Sequence, residues 1–178
     1  MMPHHLKKRL FFIKDKGEAS MRILVWNEFA HEKKDECVRL LYPDGIHGTI
    51  AAFLREEGHE VLTATLDDEN CGLSEELLDT VDVLIWWGHM RHENVPDEVA
   101  ALVQKKVLEG MGFIALHSAH HSKPFKLLMG TTCHLTWRED GDYALVWVPN
   151  PKRYTTMQLC LSIGQAAPSA RKPVTFNP

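Results

Sequence analysis

Between residues 21 and 151, short apolar runs alternate with amphipathic stretches, and the alternation predicts strands followed by helices. Arg22-Ile-Leu-Val-Trp26 is rich in β-branched and aromatic residues and reads as a first strand. Residues 27–45 are polar, carry Glu28 and His31, and end on the turn signal Pro43-Asp44-Gly45, so they read as a long loop. Ile46, Ile50, Phe53 and Leu54 then fall on one helical stripe, with Gly58 placed as a C-terminal cap. Residues 61–65 are a second strand, 74–79 a short helix and 81–87 a third strand. Pro96, Asp97 and Glu98 suit the first turn of a helix whose buried stripe is Val99, Leu102, Val103 and Val107. Gly110 and Gly112 end it, residues 113–116 form a fourth strand, and a short helix around 124–129 follows. Residues 137–147 read as a hairpin.

Three of these strands are nearly continuous in apolar residues, as strands covered on both faces are. The expectation is therefore an α/β fold with a parallel sheet ordered 2-1-3-4 and helices on both faces. The 178 residues suit one domain with a sizeable core. The two ends look unlike the middle. Residues 1–20 hold five Lys/Arg against two Asp/Glu, and residues 152–178 hold four Lys/Arg and no acid. A net charge of −4 for the whole chain thus leaves the patterned body at −11. Residues 1–20 are expected to be a disordered extension upstream of a natural start at Met21, and 152–178 an unrelated or disordered tail. The basic residues lie outside the patterned body, which argues against a nucleic-acid partner. Four cysteines without paired spacing suit a reducing, cytoplasmic setting. No apolar run reaches the roughly 18 residues of a membrane helix.

Candidate chemistry concentrates at two strand ends. Six of the eleven histidines lie between His89 and His134. Trp86-Trp87-Gly88-His89, with His92, follows strand three; His117-Ser118-Ala119-His120-His121 follows strand four. Open α/β sheets bind ligands beyond the carboxyl ends of their strands, and imidazole serves both proton transfer and metal ligation near neutral pH. His117, Ser118 and His121 are the expected catalytic residues, Ser118 as a nucleophile or hydroxyl partner of a histidine base. His89 and His117, joined by His121 or Glu28, are the candidate ligands of a divalent metal such as zinc. Taken singly, each has a plainer reading: the tryptophans as core, Ser118 as a loop start, His120 and His121 as surface residues. No Gly-x-Gly-x-x-Gly or Walker-type loop is present, so nucleotide binding has no support.

At these residues the chain resembles the trehalose-utilisation (ThuA-like) family. The matching segments are Arg22-Ile-Leu-Val-Trp-Asn-Glu28, Tyr42-Pro43 through Gly45-Ile-His47, Trp86-Trp87-Gly88-His89 with His92, and Ala115-Leu-His-Ser118 with Lys123. Leu128-Met-Gly130 and Trp137-Arg138-Glu139 extend the likeness. The resemblance implies a flavodoxin-like sheet related to class I glutamine amidotransferases and a link to catabolism of trehalose or similar disaccharides. The implied partner is a small-molecule carbohydrate, with a homo-oligomer open. Two departures stand out. The strand-four turn reads Leu116-His-Ser-Ala119 where amidotransferases place a cysteine, which argues against glutamine hydrolysis. The likeness also ends near Pro151, so the sheet is expected to be incomplete on its C-terminal side and the chain inactive through truncation. Two functional classes remain open: metal- or histidine-assisted chemistry on a sugar derivative, or a non-catalytic sugar-binding or assembly module.

Overall fold

The computed structural model describes residues 20–135. The expected hairpin at 137–147, the tail at 152–178 and residues 1–19 of the N-terminal extension lie outside the described residues. Ser20 is described, and its hydroxyl donates to the Gly58 carbonyl at 3.0 Å.

Four strands form one parallel sheet: β1 (Arg22–Asn27), β2 (Glu60–Thr65), β3 (Val83–Trp87) and β4 (Gly112–Leu116), in the order β2-β1-β3-β4. This is the expected α/β, flavodoxin-like arrangement. The helices are α1 (His31–Lys34), α2 (Glu36–Leu41), α3 (Gly45–Glu56), α4 (Glu75–Leu78), α5 (Asp97–Leu108) and α6 (Lys123–Met129). Side chains alternate across the sheet with period two. Leu24, Trp26, Leu84 and Trp86 therefore face one layer, packed with Val99 and Val103 of α5. Ile23, Val25 and Ile85 face the other, packed with Ala51 of α3 and flanked by Ile50 and Leu54. Full burial of each such aliphatic side chain contributes about 1.5–3 kcal/mol, so the two central strands, apolar on both faces, anchor the sheet.

Trp26 and Trp86 are register partners, and their rings stack at 3.8 Å between centroids with 24° between planes. The Trp26 indole donates to the Cys71 carbonyl at 3.0 Å. That carbonyl belongs to a tight turn after β2 in which Asn70 and Cys71 both have positive φ, +50° and +58°. As neighbours in a strand, Trp86 and Trp87 point to opposite faces: Trp86 is fully buried and Trp87 only half-buried.

The stretch 27–45 departs from the expected loop, because it contains α1 and α2. Asp35 starts α2 by accepting the Cys37 amide at 2.8 Å. Neither helix has an apolar stripe; Leu40 and Leu41 of α2 are exposed, which is why periodicity does not find them. Gly45 opens α3 at φ +75°, where a Cβ would also collide with the His47 ring.

Register makes the carboxyl edge of the sheet flush. Asn27 pairs with Thr65 and Trp87, and Trp87 with Leu116. Glu28, Leu66, Gly88 and His117 are therefore each one residue past the edge, at the same level.

Candidate functional site

The exit of β3 is held by a buried carboxylate from the exit of β1. Glu28 is only 1% exposed. Its main-chain N–H donates to the Trp87 carbonyl at 3.1 Å, extending the strand pairing by one residue. Its side chain turns onto the next residues of β3's exit and accepts the Met90 amide at 2.9 and 3.1 Å and the Arg91 amide at 2.9 Å. Gly88 passes so close that a Cβ there would lie 3.3 Å from Glu28 Oε2 and 3.4 Å from His92 Cε1. The chain thus turns sharply after Trp87 and projects His89 outward.

The exit of β4 is a 3₁₀ turn, His117–His121, rather than a simple loop. It presents Ser118 to the neighbouring strand's exit, where His89 Nδ1 and Ser118 Oγ are hydrogen-bonded. In the tautomer protonated at Nε2, His89 Nδ1 accepts the serine proton, which is the arrangement a general base needs. His31 of α1 stands beside this pair. Its ring is 5.2 Å from that of His89 and 5.4 Å from that of Trp87, between centroids.

The same two strand exits also carry a histidine cluster. His121 is 4.2 Å from His120, 6.0 Å from His134 and 6.2 Å from His92, between ring centroids. Burial holds the His121 imidazole below its ordinary pKa, and the charges of His120, Lys126 and His134 push it the same way. Burial also lowers His92, although the Glu28 charge opposes the shift. The Nε2 atoms of both rings are shut off from solvent without a hydrogen-bond partner among the described residues. Both rings are thereby biased to the neutral form.

A second polar knot forms where β1 meets α3. Asn27 Nδ2 donates to Glu32 Oε1 at 2.8 Å and lies 2.9 Å from His47 Nδ1. Asn27 Oδ1 accepts the Phe29 amide at 2.8 Å. Glu32 Oε1 also takes the Ile46 amide, at 2.9 Å, a favourable place for a carboxylate at the first turn of a helix. Burial lowers the His47 pKa against the opposing pull of Glu32 and Asp68.

Of the residues expected from sequence, the structure brings together Ser118 and His89, and sets His121 in the adjoining cluster. His117 heads the turn after β4, but its side chain lies outside the described ones. His89 and His92, three apart, do not share a face: the 3₁₀ turn His92–Asn94 begins only at the second of them. Glu28 does not point at His89 as a ligand; both its oxygens are engaged by main-chain amides. Among the described residues, no three His, Cys, Asp or Glu side chains are arranged to hold a metal ion. The zinc expected on His89 and His117 rests on the His117 side chain, which lies outside the described ones. Cys133 lies beyond α6 with its thiol against Thr131 at 3.3 Å, so it does not stand at the β4 exit.

Sequence reasoning missed Asn27, Glu32 and His47, which come together only through the crossover that folds α3 back on β1. The signal available was the polar pair Asn27-Glu28 directly after a continuous apolar strand.

A family model described as ThuA, trehalose utilisation, matches residues 22–168. The chain belongs to this family. The ThuA match takes in all four strands and every candidate residue named above, and it runs beyond Pro151, where the likeness seen in the sequence ends. No curated protein matches this ThuA chain. Among its described residues, no helix is long and apolar enough to cross a membrane.

Proposed function

We propose that this ThuA chain acts in trehalose or disaccharide catabolism by histidine-assisted acid–base chemistry on a sugar derivative, with His89 and Ser118 contacting the substrate, in place of the inactivity expected from truncation, because the family match runs past Pro151 to residue 168. The observation that carries this reading is the hydrogen bond between His89 Nδ1 and Ser118 Oγ across the exits of β3 and β4. A ligand resting on this rim meets an exposed imidazole, a hydroxyl and the half-buried Trp87. His89 takes a proton from the carbon beside a substrate carbonyl and returns it to the leaving oxygen as that C–O bond breaks and a carbon–carbon double bond forms, while the Ser118 hydroxyl stays hydrogen-bonded at the pair. Such proton transfers contribute about 10²–10⁴-fold in rate. His31 lies against both the His89 and Trp87 rings and restricts how far the His89 imidazole can swing.

The test is turnover of trehalose and its keto derivatives by the wild type, Ser118→Ala and His89→Ala. Acid–base chemistry requires both variants to lose most of the wild-type rate. Sugar binding that survives in all three proteins without turnover points instead to a binding module, in which the same groups hydrogen-bond sugar hydroxyls. Loss of turnover on adding a chelator overturns the metal-free form of the mechanism.

A further inference from the structure

We infer that Glu28 is a positioning residue: its buried carboxylate, by accepting the amides of Met90 and Arg91, sets the turn that presents His89 to Ser118. The inference rests on the acid–base reading of that pair, but its test does not need turnover. His89 is exposed, so packing alone does not fix its place. Its backbone is fixed instead. Residue 87 is tied to Glu28 through the main chain, and residues 90 and 91 through the Glu28 side chain, so the two residues between hang from anchors on either side.

The chemistry of the anchor demands a carboxylate. Oε1 takes the Met90 amide, and Oε2 takes the Arg91 amide at 2.9 Å with a second approach to Met90 at 3.1 Å. Both oxygens must accept. A glutamine would turn its NH2 toward one of these N–H groups and leave a buried donor facing a donor. The site is also too tight for slack, because the missing Cβ of Gly88 lies between Glu28 Oε2 and the His92 ring. Among other acids in the patterned region, Glu93 is exposed and meets Lys126 at 3.5 Å, so it does not duplicate the anchor. A mis-set turn moves His89 relative to Ser118, and losses of this kind are large where geometry must hold within about 0.5 Å.

The experiment compares the ¹⁵N-labelled full chain as wild type, Glu28→Gln and Glu28→Asp, following the Met90 and Arg91 amides and the His89 imidazole by NMR. In the wild type both amides are expected downfield and slowly exchanging, and the His89 ring is expected to carry the shift of a hydrogen-bonded Nδ1. In Glu28→Gln the amides exchange at least about tenfold faster, the loss of roughly one hydrogen bond, and the His89 ring moves to the position of a free histidine. The Trp26 and Trp86 indole signals stay in place, which separates a moved turn from a damaged sheet. Glu28→Asp keeps the charge but lacks the reach, and gives the same loss in weaker form; it decides the matter if the glutamine variant does not fold. An unchanged His89 signal in a folded variant whose Met90 and Arg91 amides have lost protection overturns the inference, as do wild-type amides that exchange freely. Absence of turnover in the wild type overturns the proposed reaction and leaves these signals untouched.

Discussion

Trp26 and Trp86 form one stacked pair, yet their indole nitrogens sit in opposite circumstances. Trp26 Nε1 donates to the Cys71 carbonyl, whereas Trp86 Nε1 is buried with no partner among the described residues. Replacing either ring by phenylalanine removes a similar apolar area and a similar part of the stack, since both side chains are at most 1% exposed. Those losses cancel in the comparison. What remains is polar. Trp26→Phe strands the Cys71 carbonyl and costs about 1–3 kcal/mol on that account, while Trp86→Phe removes an unsatisfied donor and recovers part of its own packing loss. Trp26→Phe should therefore be the more destabilising by about 2 kcal/mol. With a urea slope of about 1–3 kcal/mol per molar, the two midpoints should differ by about 1 M, followed by far-UV circular dichroism so that the fluorophore change does not interfere. Equal midpoints, or a lower midpoint for Trp86→Phe, would refute the reasoning and place a partner on the Trp86 indole.

The remaining predictions concern the rim. Gly88→Ala should lower stability by about 1 kcal/mol and shift the Met90 amide, because its Cβ would press on Glu28 Oε2 at 3.3 Å, an oxygen locked by its bonds to Met90 and Arg91. A thermal melt with the wild-type midpoint would count against that tight approach. Gly45→Ala combines a positive φ with a collision at the His47 ring and should cost at least about 1 kcal/mol, read from the same denaturation series. Stability should also depend on pH between neutrality and about pH 5. Burial holds His47, His92 and His121 in the folded chain below the ordinary imidazole value of 6.5. The unfolded chain therefore binds more protons as pH falls through 6.5, so their contribution is full above that value and is lost below it. The lowered carboxylates Asp67 and Glu75 act only in the more acidic range below their ordinary values, 3.8 and 4.5, so the two windows separate. A melting temperature that is flat from pH 7.5 to 5 would contradict the histidine assignment.

How much of this is legible in the chain depends on whether the interaction is local. The strands declare themselves because β1 and β3 are buried on both faces and must be apolar throughout, as at Ile23-Leu-Val-Trp26. Helices α3 and α5 declare themselves through one-sided stripes. The four-residue α1, His-Glu-Lys-Lys, has no stripe to read, and the burial of its Glu32 is decided by Asn27 and the Ile46 amide, five and fourteen residues away in sequence. The site divides in the same way. His89 and Ser118 are visible because each follows a strand, and parallel pairing makes strand ends coincide. That they hydrogen-bond depends on the β3–β4 register, which no local pattern carries. The role of Glu28 is hidden for a related reason: a carboxylate after a strand looks like a ligand or a surface charge until its amide partners, sixty-two and sixty-three residues on, are seen.

In the proposed reaction His89 and Ser118 work as one unit on a sugar derivative. The most direct test of that coupling is a double-variant cycle, measuring kcat/KM on a keto derivative of trehalose for wild type, His89→Ala, Ser118→Ala and the combined variant. Groups that act together give single losses of similar size and a double loss no larger than either. Independent, multiplying losses, or full activity without either side chain, would contradict the account.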